Sequence, residues 1–268
     1  MVVVNVEGKE FYLDGYLKQN LDDAFEMVRT DNDFVCIVDG RERSGKSSIA
    51  LQMAFYLDKS FSLDRVCFSA KEFEKAVLNA SQYSAVVYDE SFTGMASSSV
   101  LSLVNRSLIK LMAEIGQKNL FIFVVMPSFF DLSKYIALHR SQCLIHVYTG
   151  KNFKRGFFTF YNEDKKKFLY IAGKKFYNYN VPKANFYGCF TKFIPFEEAD
   201  YRKKKHNSLM VRDKDKVDVS SDKDFQKKLF KRFMDNPDLD ITNDVKSILL
   251  GVASNTFYVW VREYNCND

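Results

Sequence analysis

Residues 40–47 read GRERSGKS, a complete G-x-x-x-x-G-K-S, close behind the apolar run FVCIV at 34–38. No other feature of the chain narrows its fold as far. The apolar run reads as a buried strand. KSSIALQMAFYLD at 46–58 has helical spacing, with Ile49, Met53 and Tyr56 near one face. Strand, glycine-bounded loop and helix form the setting in which this string cradles phosphate. Gly40 and Gly45 permit backbone angles that other residues rarely adopt. The loop can then turn its N–H groups toward an anion at the positive end of the helix. In that arrangement Lys46 reaches the β- and γ-phosphates and Ser47 offers its hydroxyl to Mg2+. Ser44 and Ser48 flank these contacts. Arg41, Glu42 and Arg43 fill the variable positions, where they touch nucleotide or a neighbouring subunit, or are simply solvated.

Strands and helices alternate beyond the loop. RVCFS (65–69), AVVY (85–88), LFIFVVM (120–126) and CLIHVY (143–148) read as strands. AKEFEKAVLN (70–79), 99–118 and 132–139 read as helices. This predicts an α/β domain over 1–150, with a parallel sheet covered on both faces and right-handed crossovers. After Gly150 the pattern changes. Residues 153–161 and 167–171 flank Asn162–Glu163–Asp164 and read as a lysine-rich β-hairpin, inside a β-rich extension over 151–200. Residues 201–224 are charged, poorly periodic and read as a linker. Residues 225–268 return to helical spacing as a small helical domain.

Asp89 closes the strand AVVYDE, 42 residues after Ser47. A carboxylate there can hold Mg2+, largely through water, because Mg2+ keeps several of its own waters. Glu90, the next residue, can polarise an attacking water; otherwise it caps the helix that follows.

The Asp89–Glu90 pair resembles the additional-strand, catalytic-glutamate branch of P-loop ATPases. The longer order of parts (GRERSGKS, VVYDE, a Ser/Asn/Arg-containing helix, FIFVVMPSFFDLSKYIALHR, CLIHVY, then a basic hairpin) is similar to a narrower group. That group is the FtsK–HerA ATPases with the related zonular-occludens-toxin-like and phage or mobile-element ATPases. The resemblance covers about residues 30–150. It implies a RecA-like fold with a five-stranded, mainly parallel sheet ordered 5-1-4-3-2, and ATP rather than another nucleotide. It also implies a homo-oligomer such as a hexameric ring, movement of double-stranded DNA, and a capsid, portal or nuclease as partner of a viral motor. On the same resemblance Ser128, at the tip of the fourth strand, contacts the γ-phosphate or lytic water, or else caps the next helix. Arg140, and less favoured Arg106, are candidates for an arginine finger serving a neighbouring subunit.

Charge is uneven. Residues 1–150 carry 15 basic and 18 acidic groups, 151–232 carry 22 and 10, and 233–268 carry 2 and 6. A basic middle suits a polyanion. Its candidate DNA contacts are Lys165, Lys166, Lys167, Lys174, Lys175, Arg202, Lys203, Lys204 and Lys205. In the tail, VKSILLGVASNTFYVWVRE (245–263) resembles a helix-turn-helix with Gly251 in its turn and Leu249, Leu250, Val252, Phe257 and Trp260 as core. Its acidity is unusual for a DNA reader. Cys36, Cys67, Cys143, Cys189 and Cys266 show no CxxC pairing and predict free thiols in a reducing cytoplasm. No apolar run approaches the roughly 20 residues of a membrane helix, so no membrane insertion is expected. The residues weigh against a small-molecule kinase. The resemblance implies an ATP-driven DNA translocase or packaging motor, with an ATP-gated DNA-binding switch (initiator, helicase loader or transcription regulator) as the alternative.

Overall fold

The computed structural model describes residues 2–89, 109, 118–235, 242–250 and 252–265. The chain divides into two compact units, Met1–Lys205 and His206–Asp268.

The first unit opens with an antiparallel pair, β1 (Val2–Val6) and β2 (Lys9–Leu13), and a helix, α1 (Gly15–Arg29). The Asp14 carboxylate caps α1 by accepting from the Tyr16 and Leu17 amides at 3.0 and 3.2 Å. Leu17, Leu21, Ala24 and Val28 recur at helical spacing and form its buried face.

Next come β3 (Phe34–Gly40), α2 (Lys46–Leu57), β4 (Val66–Cys67), α3 (Ala70–Asn79), β5 (Ala85–Asp89), β6 (Phe121–Val125) and β7 (Cys143–Tyr148). β3 is buried along its whole length because it pairs in parallel with β6 on one side and β7 on the other. β5 pairs in parallel with both β4 and β6. The sheet continues past β7 through β8 (Phe157–Tyr161) and β9 (Phe186–Cys189), both antiparallel to their neighbours. Its order is β4-β5-β6-β3-β7-β8-β9. Among the described residues the sheet thus has seven strands where five were expected. Numbered by appearance, the parallel five run 5-1-4-3-2 from β7 to β4.

Side chains alternate across β3. Cys36 and Val38 join the apolar layer under α1 and α2, while Val35 and Ile37 join the layer on the other face. α3 is capped by the Ser69 hydroxyl, which accepts from the Glu72 amide at 3.2 Å. The helix expected over 132–139 is shorter: a single π turn at Ile136–Arg140. The expected helix over 99–118 lies outside the described residues, apart from isolated positions.

One expectation fails outright. The basic hairpin around 162–164 is a strand and a helix: β8 runs into α4 (Glu163–Gly173). The Asn162 side chain accepts from the Lys165 amide at 3.1 Å, so Asn-Glu-Asp is a helix start, with acidic residues favoured by the dipole. Burial of Lys166, Leu169, Tyr170 and Gly173 follows helical spacing. The expected linker over 201–224 is helical as well, within α5 (Glu198–Asp235).

In the second unit, α6 (Asn243–Leu249) and α7 (Ser254–Asn265) pack with the last turns of α5. Phe257 and Leu250 are buried against Phe230, with Val252 and Trp260 beside them. Leu249, expected in this core, is exposed. Gly251 lies outside the described residues. Among the described residues no helix is long and apolar enough to cross a membrane.

Candidate functional site

The C-terminal ends of β3, β5 and β6 converge on one edge of the sheet, where ligands of open α/β sheets bind. Gly40 ends β3 with φ +136°, and a Cβ there would lie 2.0 Å from the Val147 carbonyl oxygen of β7. Only glycine fits. Gly45, with φ +109°, caps α2, and a Cβ would press on the Phe190 ring at 3.0 Å. Between them the Ser44 amide donates to the Arg41 carbonyl at 3.3 Å, and Arg43 takes a left-handed φ of +60°. Arg41, Glu42 and Arg43 are exposed, whereas Ser44 is buried. Its hydroxyl makes no hydrogen bond among the described residues.

Lys46 folds back across the loop. Its Nζ donates to the Gly40 and Arg41 carbonyls at 2.6 and 2.8 Å. Burial lowers its pKa, and the carboxylates of Asp39, Asp89 and Glu42 oppose that shift.

Asp89 ends β5 with 3% of its surface exposed. Its Oδ2 accepts from the Tyr201 hydroxyl at 2.8 Å and pairs with Lys205 Nζ at 3.1 Å. The Ser47 hydroxyl lies within hydrogen-bonding reach of the same phenol. Ser47 and Asp89 are therefore brought together, as two ligands of one Mg2+ require. Burial, then the Asp89 carboxylate, push the Tyr201 pKa well up, so this phenol stays a neutral donor. The residues fit a divalent cation on one direct observation: a cationic group, the Lys205 ammonium, is already drawn to Asp89.

Ser48 contributes differently than expected. Its hydroxyl is engaged with the Phe193 amide and carbonyl, both at 3.2 Å. Gln52 of α2 likewise donates to the Thr191 carbonyl at 2.5 Å. The chain after β9 thus lies along α2 before α5 carries Tyr201 and Lys205 to Asp89. Nothing local marks these two residues, which are 112 and 116 positions away from Asp89.

Asp39, one residue before the loop, was also missed. It is fully buried, facing away from α2. Its carboxylate accepts from the Phe129 amide at 2.8 Å, meets His146 Nδ1 at 2.9 Å and accepts from the Tyr179 hydroxyl. The Tyr179 ring stacks on His146 at 3.7 Å. A charge this buried needs such partners. An Asp inside FVCIVDG and a His inside CLIHVY were the available signals. Through Phe129, Asp39 anchors the peptide just after Ser128. The Ser128 hydroxyl is buried and makes no hydrogen bond of ordinary geometry among the described residues. It lies near enough to Tyr179 to oppose the burial-driven rise of that phenol's pKa. Nor does it cap the short 3-10 turn that follows.

Glu90 and Arg106 lie outside the described residues. Arg140 is placed away from the site, at the opposite end of the sheet, where it forms an ion pair with Asp33 just ahead of β3. The expected DNA contacts are placed differently from one another, and Lys166 alone among them is fully buried. Lys166 is buried, donating to the Ala137 carbonyl at 2.5 Å and the Ser141 hydroxyl at 2.9 Å, and burial lowers its pKa to about 8. Lys204 donates to the Leu63 and Val66 carbonyls, and Lys205 is held by Asp89. Lys165 reaches the Ala184 carbonyl, Lys167 pairs with Glu163, and Lys174 lies over the Tyr170 ring. Arg202 pairs with Glu198 while staying exposed, and Lys203 and Lys175 are exposed.

No protein-family model matches the chain, and no curated protein does. Among solved structures, the genome packaging NTPase B204 from Sulfolobus turreted icosahedral virus 2, in complex with AMP, is similar with a TM-score of 0.29 and 11% identity. The match covers 51% of this chain and 95% of that one. A likeness this loose does not bear on what this chain does.

Proposed function

We propose that the chain is an ATP-hydrolysing DNA translocase, a RecA-like motor of the kind that packages or transfers viral or mobile-element DNA. One observation carries the enzymatic half of this reading. A loop closed by two glycines that tolerate no side chain sets Lys46 beside a buried Asp89 and its neighbour Ser47. The loop amides and Lys46 would hold the phosphates, and Ser47 and Asp89 would hold Mg2+. A Mg2+ held by Ser47 and Asp89 would supply charge neutralisation to the phosphates. Glu90 is the proposed base, polarising water for attack on the γ-phosphorus, and Ser128 is the proposed contact at the tip of β6. DNA, a ring of copies and a capsid, portal or nuclease partner belong to the same proposal.

The test is steady-state ATP hydrolysis with and without double-stranded DNA, for the native chain and for Glu90→Gln. DNA-stimulated turnover that the substitution abolishes supports the motor. A rate indifferent to both DNA and the substitution rejects it.

The alternative, an ATP-gated switch, is favoured by the Lys205–Asp89 contact, because an ammonium on the metal carboxylate competes with the metal. In that case Lys205→Ala lowers the Mg2+ concentration for half-maximal nucleotide binding several-fold, read by a fluorescent ATP analogue. No change in that midpoint removes the support.

A further inference from the structure

The loop joining β7 to β8, Gly150–Gly156, reads GKNFKRG. It leaves the same sheet edge as the phosphate loop, since Val147 of β7 is in register with Gly40. Phe153 at its tip is 87% exposed, the most exposed of the large apolar side chains described. An apolar ring in water is an unfavourable arrangement, and here the backbone enforces it. Asn152 and Phe153 both take left-handed φ angles of +57°, a region costly for a bulky side chain. The strain is held from below. The Gly150 amide donates to the Lys154 carbonyl at 2.8 Å, and the Lys154 amide to the Lys151 carbonyl at 3.3 Å. At the far foot, the Phe190 amide donates to the Gly156 carbonyl at 2.8 Å. Strain that the surrounding structure maintains at an exposed position points to a ligand.

The surrounding charge says which one. Lys151, Lys154 and Arg155 flank the ring, all exposed, with no acidic residue between the two glycines. No ion pair is recorded for any of the three among the described residues. Lys154 Nζ also lies 5.9 Å from the centroid of the Phe157 ring. An aromatic face flanked by three exposed cations without ion pairs is complementary to an unstacked base and its flanking phosphates.

We propose that Gly150–Gly156 is a nucleic-acid-binding finger, in which Phe153 stacks on an unpaired base and Lys151, Lys154 and Arg155 take the adjoining phosphates. The site deepens the DNA-acting reading above and rests on it. It names a contact surface apart from the lysines of 165–175 and 202–205, many of which are turned to other work. Loop rigidity suits the role, because a preorganised ring loses little freedom on stacking.

The experiment is fluorescence anisotropy of a labelled 20-nucleotide oligothymidine and an abasic strand of equal length, without nucleotide present. The native chain is expected to bind oligothymidine more tightly than the abasic strand. Phe153→Ala should weaken oligothymidine binding about tenfold and leave abasic binding unchanged, while Phe153→Trp retains the preference. Replacing Lys151, Lys154 and Arg155 together by Ala should weaken both strands and flatten the salt dependence by about 2 in log–log slope. Melting temperatures within a degree or two of native would show that the variants are folded. Equal binding by native and Phe153→Ala overturns the finger while leaving a DNA-acting protein standing. A native chain that binds neither strand overturns the finger; a duplex of the same length, run beside them, separates that result from failure of the double-stranded-DNA reading, which falls only if the duplex is not bound either. Loss of oligomer size in Phe153→Ala, with oligothymidine binding intact, assigns the ring to a contact between copies and rejects the proposal.

Discussion

The phosphate loop at 40–47 and the finger at 150–156 are built from the same ingredients. Each is bounded by glycine, each carries three cations, and each holds a non-glycine residue at positive φ. They rise from adjacent strands of one sheet edge. What differs is the element that follows. α2 brings a helix N-terminus, whose unpaired N–H groups draw the loop and Lys46 inward. β8 is antiparallel and spends its backbone groups on the ladder with β7, so the turn displays its side chains. The comparison teaches that a lysine's neighbours in sequence do not set its direction; the next secondary element does.

The hardest test of that contrast lies in the glycines. Gly40→Ala puts a Cβ onto the Val147 carbonyl at a φ of +136°. It should cost roughly 3 kcal/mol or more, on the order of a 6–12 °C fall in melting temperature for a unit of this size. Gly150→Ala meets only the Phe157 ring, at 3.0 Å and an ordinary φ of −75°. That ring can shift, so about 1 kcal/mol is expected. Equal falls by calorimetry would erase the distinction. Lys46→Ala should slow ATP hydrolysis by about 100-fold while oligonucleotide affinity stays within about twofold; losing both equally would merge the two loops into one site.

Lys166 extends the comparison to a cation turned fully inward. Its pKa is lowered from 10.5 to about 8 by burial. Below pH 8 both folded and unfolded chains hold the proton, and the cost of burying charge is felt in full. Between pH 8 and 10.5 the folded chain has released a proton that the unfolded chain still binds, so stability rises with pH. Taken alone, this group gives a rise of about 1–2 kcal/mol from pH 7.5 to 9.5. The buried Cys36 and Cys67 thiols, whose pKa values are raised, oppose it over the same range, so the rise is read in urea unfolding as the difference between the native protein and Lys166→Met. Lys166→Met should lack most of that rise. Smallest is Asn152→Gly, which relieves a left-handed residue in the finger and should raise stability by about 0.5 kcal/mol. A fall instead would mean that Asn152 holds the turn by contacts and not under strain.

The strand, glycine-bounded loop and helix over 34–57 were legible because their signal is contiguous: apolar strand, two glycines, Lys-Ser, then helical spacing. Asp89 was legible for the same reason, as a carboxylate closing an apolar strand. Asn162–Glu163–Asp164 was misread because N-caps and turns use the same residues, and what separates them is whether the following amides turn into a helix. That 201–224 is helical was not legible because its sequence is charged and poorly periodic, with no apolar stripe to mark a helix.

By itself, then, the sequence determined the glycine-bounded loop at 40–45, the strand that feeds it and the buried carboxylate at the end of β5, since each depends on residues a few positions apart. Only the tertiary structure decided which cations face the site, the interior or water. It set Tyr201 and Lys205 on Asp89, tied Arg140 to Asp33 at the far end of the sheet, and buried Lys166 against the Ile136–Arg140 turn. The physical reason is that a charge is placed by the partners that compensate its desolvation, and those partners come from distant parts of the chain.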